Sequence, residues 1–304
     1  MEKFEVNILG CGSALPTIQH FGSMQVVNVK ERLYMIDCAE GAQLQLRKSR
    51  LAFSKINNIF ISHMHGDHCF GLIGLISTFS LLGRTSVLNV YGPADLRTIL
   101  SELLHWFCPQ LNYKVEIHTV DTRRFDKIFE DKSVEIYTIP LKHRMECCGF
   151  LFKEKQELPH IKRDVIDAFG IPVCYINNIK NGMDYEMPDG EIIPNSLLTT
   201  PPRPARSYAY CTDTLFRPGN ADLLQGVDLL YHESTFSNKD AAFAKKTYHS
   251  TAGQAGEMAA LCHAKKLVIG HFSARYKNES LLLEEAKRVF ENTVLARENL
   301  CITI

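Results

Sequence analysis

The sequence predicts an α/β fold, a layered sandwich in which sheets are covered by helices. Three observations carry that prediction. Short runs rich in Val, Ile, Tyr and Phe recur along the whole chain, as strands do. Segments with apolar residues every three or four positions lie between these runs and close the chain. The 304 residues, 45% hydrophobic and 22% charged, are enough to bury a large core and too apolar for disorder.

Taken in order, strand-like runs occur at 4–9, 25–29, 33–37, 58–61, 87–91, 115–119 and 134–140. Others follow at 148–152, 208–211, 229–231, 266–269 and 301–303. Helical spacing places Leu72, Leu75, Ile76, Phe79 and Leu82 on one stripe and recurs at 96–107, 252–263 and 281–290. The stripe Leu103, Leu104 and Phe107 beside Trp106 is expected to be core or subunit interface. Residues 153–206 differ in composition. They hold seven of the twelve prolines and the turn signals Asn181-Gly182 and Asp189-Gly190. We read one domain, 1–304, with 153–206 as an insertion projecting from the body. Its seven basic and eight acidic residues give a net charge of −1.

Charge and cysteine usage exclude several classes. Lys+Arg 34 balance Asp+Glu 34. General polyanion binders carry a large positive excess instead. Ten dispersed cysteines form no CxxC pair, and MEKFEVNILG has no apolar core of the secretory type. Reduced thiols and a cytoplasmic location are expected. The longest apolar stretch, 70–83, is too short to cross a membrane.

The most informative stretch is Ser62-His63-Met64-His65-Gly66-Asp67-His68, directly after a strand-like run. Four potential ligands within six residues diverge too much to enclose one ion without strain, so two adjacent ions are the natural solution. Imidazole and carboxylate suit zinc and similar metals. His63 follows an apolar strand. The same rule, a His or Asp at the end of such a strand, finds His143, Asp213 and His271. The result is five histidines and two aspartates at one sheet edge, with Asp213 placed to bridge.

This set resembles the metallo-β-lactamase superfamily, whose members have a four-layer αββα fold and hold two metal ions. His232-Glu233-Ser234-Thr235, His249-Ser250-Thr251 and His271-Phe272-Ser273-Ala274-Arg275-Tyr276 narrow the resemblance. With Gly10-Cys11-Gly12-Ser13 and Asp37-Cys38-Ala39-Glu40-Gly41, they are similar to the ribonuclease Z family of short-form tRNA 3′-processing endonucleases. The resemblance runs from residue 5 to the end. It implies one ion on His63, His65 and His143, another on Asp67, His68 and His271, and Asp213 between them. It also implies two Zn2+ per chain, with Mn2+ as the alternative, precursor tRNA as substrate, and a homodimer.

In that setting Asp67 is the expected general base. His249 is the expected donor to the departing 3′ oxygen, oriented by Glu233. Arg275 is expected to bind a substrate phosphate, and Asp37 and Ser13 to order the metal loop. His232 reads equally as a buried packing residue, and the remaining histidines as surface or packing groups. The alternative function is hydrolysis of small phosphodiesters or thioesters. The resemblance also makes 153–206 the substrate-binding arm, and three departures from the family pattern stand out: this arm is non-basic and reads Gly170-Ile171-Pro172, Gln19-His20-Phe21-Gly22 follows Pro16 in place of Arg-Asn, and Ala39 replaces glycine. Attraction to RNA is expected at the metal edge alone, with a shallow salt dependence.

Overall fold

The computed structural model describes residues 2–304. It forms two compact units, one from the chain up to Lys153 and from Arg206 onward, the other from Glu154–Ala205.

In the larger unit, β1 (Phe4–Gly10), β2 (Met24–Val29), β3 (Arg32–Ile36), β4 (Ile56–Phe60), β5 (Leu88–Gly92) and β6 (Val115–Thr119) line up in sequence order. The second sheet starts with β7 (Lys127–Glu130), β8 (Val134–Pro140) and β9 (Cys148–Glu154). In the smaller unit β10 (His160–Ile161) pairs with β13 (Thr199–Thr200), and β11 (Tyr185–Glu186) with β12 (Ile192–Ile193). The second sheet then gains β14 (Ser207–Cys211), β15 (Leu229–Glu233), β16 (Lys266–Gly270) and β17 (Thr293–Leu295). Finally β18 (Leu300–Thr303) returns beside β1. Each large sheet has seven strands, and helices flank both, as the sandwich prediction requires.

The central strands, such as β2 and β15, are buried on both faces, which is why they read as apolar runs. Along β2, Val27 and Val29 enter the core between the sheets, while Met24 and Val26 enter the core beneath the helices. The helix Leu72–Leu81 buries Leu72, Leu75, Ile76 and Phe79, the expected stripe. Leu82 lies past its end and is exposed. The helix Ala94–Phe107 buries Leu96 and Leu100 and packs Leu104, but Trp106 and Phe107 are 71% and 70% exposed and take no part in the core. Thr251 and Gln254 form a capping box that starts the helix Ala252–Leu261. The helix expected at 281–290 is Ser280–Lys287. Short elements escaped the periodicity reading: the helices Ala42–Lys48 and Ala241–Thr247, and strands β7 and β17.

Strand direction positions the site. β3, β4, β5 and β6 are parallel, as are β14, β15, β16 and β17. Their C-terminal ends therefore gather along one edge, where open α/β sheets bind ligands. No helix among the described residues is long and apolar enough to cross a membrane.

The smaller unit has an apolar cluster of its own, Ile166, Ile171, Ile179, Tyr185, Ile193 and Leu198. Gly182 and Gly190 adopt φ of 92° and 89°, the left-handed conformation that the Asn-Gly and Asp-Gly signals anticipate.

Candidate metal centre

All seven expected ligands follow strand ends: His63 and His65 lie in the loop after β4, Asp67 and His68 in the short helix Gly66–Cys69 that closes it, and the side chains converge. His63, His65, His143 and Asp213 form one group of potential ligand atoms, and Asp67, His68 and His271 form another. His65 Nδ1 lies 3.0 Å from His63 Nε2 and 3.2 Å from His143 Nε2. Asp213 stands between the groups. Its Oδ2 is 3.7 Å from His63 Nε2 and 3.6 Å from His143 Nε2. Its Oδ1 is 3.3 Å from His68 Nε2 and 3.0 Å from His271 Nε2. Asp67 Oδ2 lies 3.4 Å and 3.5 Å from the same two nitrogens.

These atoms fit a metal better than they fit one another. Asp67 Oδ2, His68 Nε2 and His271 Nε2 are buried and make no hydrogen bond. A buried polar atom without a partner is costly, and a cation would satisfy all three together. The opposite ring nitrogens are occupied. His68 Nδ1 lies 2.7 Å from Asp37 Oδ2, and His63 Nδ1 is 3.0 Å from Ser62 Oγ, which itself donates to Asp37. His143 Nδ1 donates to the Tyr248 carbonyl at 3.0 Å, and His271 Nδ1 meets Thr235 Oγ1 at 2.8 Å. Each contact fixes a tautomer and turns Nε2 inward. Asp37 also accepts from the Ser62 amide and from Tyr210 OH. Asp37 and His271 adopt φ of 55° and 60°, so the chain turns sharply where each strand ends.

The field across the cluster is uneven. Burial works against the charge on His68, but Asp213, Asp67 and Asp37 outweigh it and hold its pKa well above the usual value. Burial lowers those of His63, His65 and His143. For Asp67, burial is overcome chiefly by the neighbouring His68, and the carboxyl is held far below its usual range.

Glu233 and His249 form a second motif beside the cluster. His249 Nδ1 lies 2.9 Å from Glu233 Oε1, and the buried Glu233 carboxylate also accepts from the Thr214 amide and from Thr235. Burial opposes protonation of His249, but Glu233 outweighs it and raises the pKa to about 9. His249 shares a cavity of about 960 Å3 with His65, Asp67, His143, Asp213 and His271.

The other expected residues sort differently. His232 is buried, and its Nδ1 donates to the Glu233 carbonyl, a packing position. Arg275 pairs with Asp240 at 3.6 Å and lies over the rings of Phe236 and Phe243. The Ser13 amide donates to the Phe272 carbonyl, tying the first loop to the residue after His271. His20, expected to be a surface or packing residue, lines the cavity and is held between Glu298 at 3.0 Å and Glu279 at 3.2 Å. Gly22 passes so close to Asp67 that a Cβ would stand 2.8 Å from the Asp67 carbonyl oxygen. Ala39 needs no positive φ, so it replaces the family's glycine without backbone strain. Tyr210 and the Tyr248 carbonyl had no sequence signal beyond their place near the motifs.

Comparison with known proteins bears on this geometry. Over 304 residues the chain is 58% identical to Ribonuclease Z of Bacteroides fragilis, with all of both chains covered. The chain belongs to the ribonuclease Z family. It is accordingly an enzyme of the ribonuclease Z type. The crystal structure of human tRNase Z, short form, superimposes with a TM-score of 0.69 at 26% identity, covering 99% of each chain. The metallo-β-lactamase fold protein YhfI of Bacillus subtilis matches with a TM-score of 0.70 at 17% identity over the full length of both chains, which supports the fold. A family model described as Anti-Pycsar protein Apyc1 matches residues 4–161.

Proposed function

We propose that this ribonuclease Z-type chain is a zinc-dependent endoribonuclease that removes the 3′ trailer from precursor tRNA. It leaves a 3′-hydroxyl on the tRNA and a 5′-phosphate on the trailer. The observation that carries the reading is Asp213 standing between two sets of inward-facing imidazoles, with the Glu233–His249 pair in the same cavity.

His63, His65 and His143 would hold one Zn2+ and Asp67, His68 and His271 the other, with Asp213 shared; Mn2+ is the alternative. Two such ions supply Lewis acidity at the phosphate and lower the pKa of water. Asp67 takes a proton from the attacking water as the bond to phosphorus forms. As the bond from phosphorus to the 3′ oxygen breaks, His249 gives that oxygen a proton. Glu233 holds the imidazolium in place and stabilises its charge, as carboxylate–histidine pairs do. Arg275, 41% exposed over the Phe236 ring, is assigned to a substrate phosphate.

The insertion 153–206 is read as the arm of a single metallo-β-lactamase-fold domain; its own apolar cluster supports a preformed element. The exposed Trp106 and Phe107 support a homodimer, and the dispersed free cysteines a cytoplasmic setting.

The test offers metal-loaded protein a precursor tRNA with a 3′ trailer, a small phosphodiester and a thioester. Cleavage after the discriminator nucleotide, abolished by Asp67→Ala, is expected. Turnover of the small esters with the precursor left intact would sink the reading in favour of a small-ester hydrolase.

A further inference from the structure

A second cavity, of about 630 Å3, is also lined by His143. His143 lines both cavities, Arg144 lines the first, and Lys142 lines the second. Arg123 and Arg217 join Lys142 there, with Glu146 the acidic residue of the lining. These three cations come from well-separated stretches of sequence. Arg217 donates to the Pro140 carbonyl at 3.4 Å, and Arg123 pairs with Asp121 at 3.3 Å while staying 79% exposed. Among the described residues, no carboxylate forms an ion pair with Lys142, Arg144 or Arg217. A chain of zero net charge thus concentrates unpaired positive charge beside one metal ligand.

The two cavities differ in what they can recognise. Pro16, Phe21, Leu44, Phe70 and Phe236 give the first cavity apolar and aromatic walls suited to nucleobases. The second cavity contains no Phe, Tyr or Trp and presents cations instead. A strand of variable sequence can be held only through its backbone, which phosphate neutralisation does without reading bases. A 3′ trailer differs in sequence from one precursor to the next.

We infer that the second cavity binds the phosphodiester backbone of the trailer, with Lys142, Arg123 and Arg217 neutralising phosphates downstream of the scissile one. The inference rests on the proposed precursor-tRNA activity. It replaces the shallow salt dependence expected from composition with a steeper one that grows with trailer length, by about 0.7 in logarithmic slope per phosphate held.

The experiment compares two precursors of one tRNA, with trailers of about one and about ten nucleotides, on the metal-loaded protein. The readout is the ratio of kcat/KM for the long over the short trailer, at low and moderate salt. The unmodified chain is expected to favour the long trailer, and Lys142→Gln with Arg217→Gln to reduce that ratio about tenfold. Arg123→Gln, at an exposed position, should reduce it in the same direction by less. It also keeps the test open if the double variant fails to fold, as melting and metal content would show. An equal loss on both precursors would place the cations on the tRNA side and overturn the inference. An unchanged ratio would overturn it as well. Failure to cleave either precursor would instead strike the proposed function, so the two failures are distinguishable.

Discussion

The two halves of the candidate metal centre present similar ring nitrogens but are supported differently from behind. In the half with Asp67, both imidazoles lead to buried carboxylates: His68 directly to Asp37, and His271 through Thr235 to Glu233. In the other half His63 reaches Asp37 through Ser62, His143 ends on a backbone carbonyl, and the half-buried His65 turns its Nδ1 to the cluster. The Asp67 half also includes a carboxylate of its own among the candidate ligands. A carboxylate behind an imidazole makes the ring a better donor. The opposite pKa directions of His68 and His63 report the same asymmetry, since carboxylates dominate around one and burial around the other. The Asp67 half is therefore expected to hold its ion more firmly.

Four experiments would break or sharpen that comparison. Asp213→Ala should have the largest effect, because it removes the group both halves share. Loss of at least about 10^3-fold in activity is expected, with both ions weakened in metal analysis. Retention of two tightly held ions would end the idea of a shared ligand.

Glu233→Gln touches the Asp67 half through Thr235 and also leaves His249 without its carboxylate. A fall of about 10^2- to 10^4-fold in kcat is expected. In the metal-free protein the His249 ring should titrate near pH 9 by NMR, and lower in the variant. Because this folded-state pKa is raised, the pair's stabilisation is complete below the unfolded value of about 6.5 and disappears as pH rises through about 9. The difference in melting temperature between the two proteins should shrink across that window.

Asp37→Asn keeps the shape and tolerates the positive φ but removes the charge behind His68. Metal affinity in the Asp67 half should fall about 10- to 100-fold, so that a chelator now strips this half first. In the unmodified chain the other half should release its ion first, and the reverse order would refute the comparison. The smallest effect is expected of Tyr210→Phe, which deletes one of several donors to Asp37. It should cost about 0.5–1.5 kcal/mol of stability and leave the order of metal release unchanged.

Several features were legible along the chain for local reasons. A buried strand reads as an apolar run, and its last residues face the sheet edge, so His143, Asp213 and His271 could be found by one rule. The stripe from Leu72 to Phe79 was readable because helical spacing is local. Of the two readings of the Leu103, Leu104 and Phe107 stripe, the core one fails at Trp106 and Phe107, because the stripe continues into a last turn that nothing among the described residues covers. The separate compact unit Glu154–Ala205 was visible as a segment of different composition from its prolines and its two Gly turns.

By itself, the sequence determined the layered α/β class and picked out the seven side chains that converge, since periodicity and strand ends are properties of neighbouring residues. Tertiary structure alone decided which groups stand behind those ligands. Tyr210 reaches Asp37 across 173 positions, and Glu233 reaches His271 only through the Thr235 hydroxyl. It also decided where charge accumulates. Summed along the chain, 34 cations cancel 34 anions, but sheet packing brings Arg123, Lys142 and Arg217 to one cavity beside His143. Electrostatic attraction depends on distance in space, which a linear count does not contain.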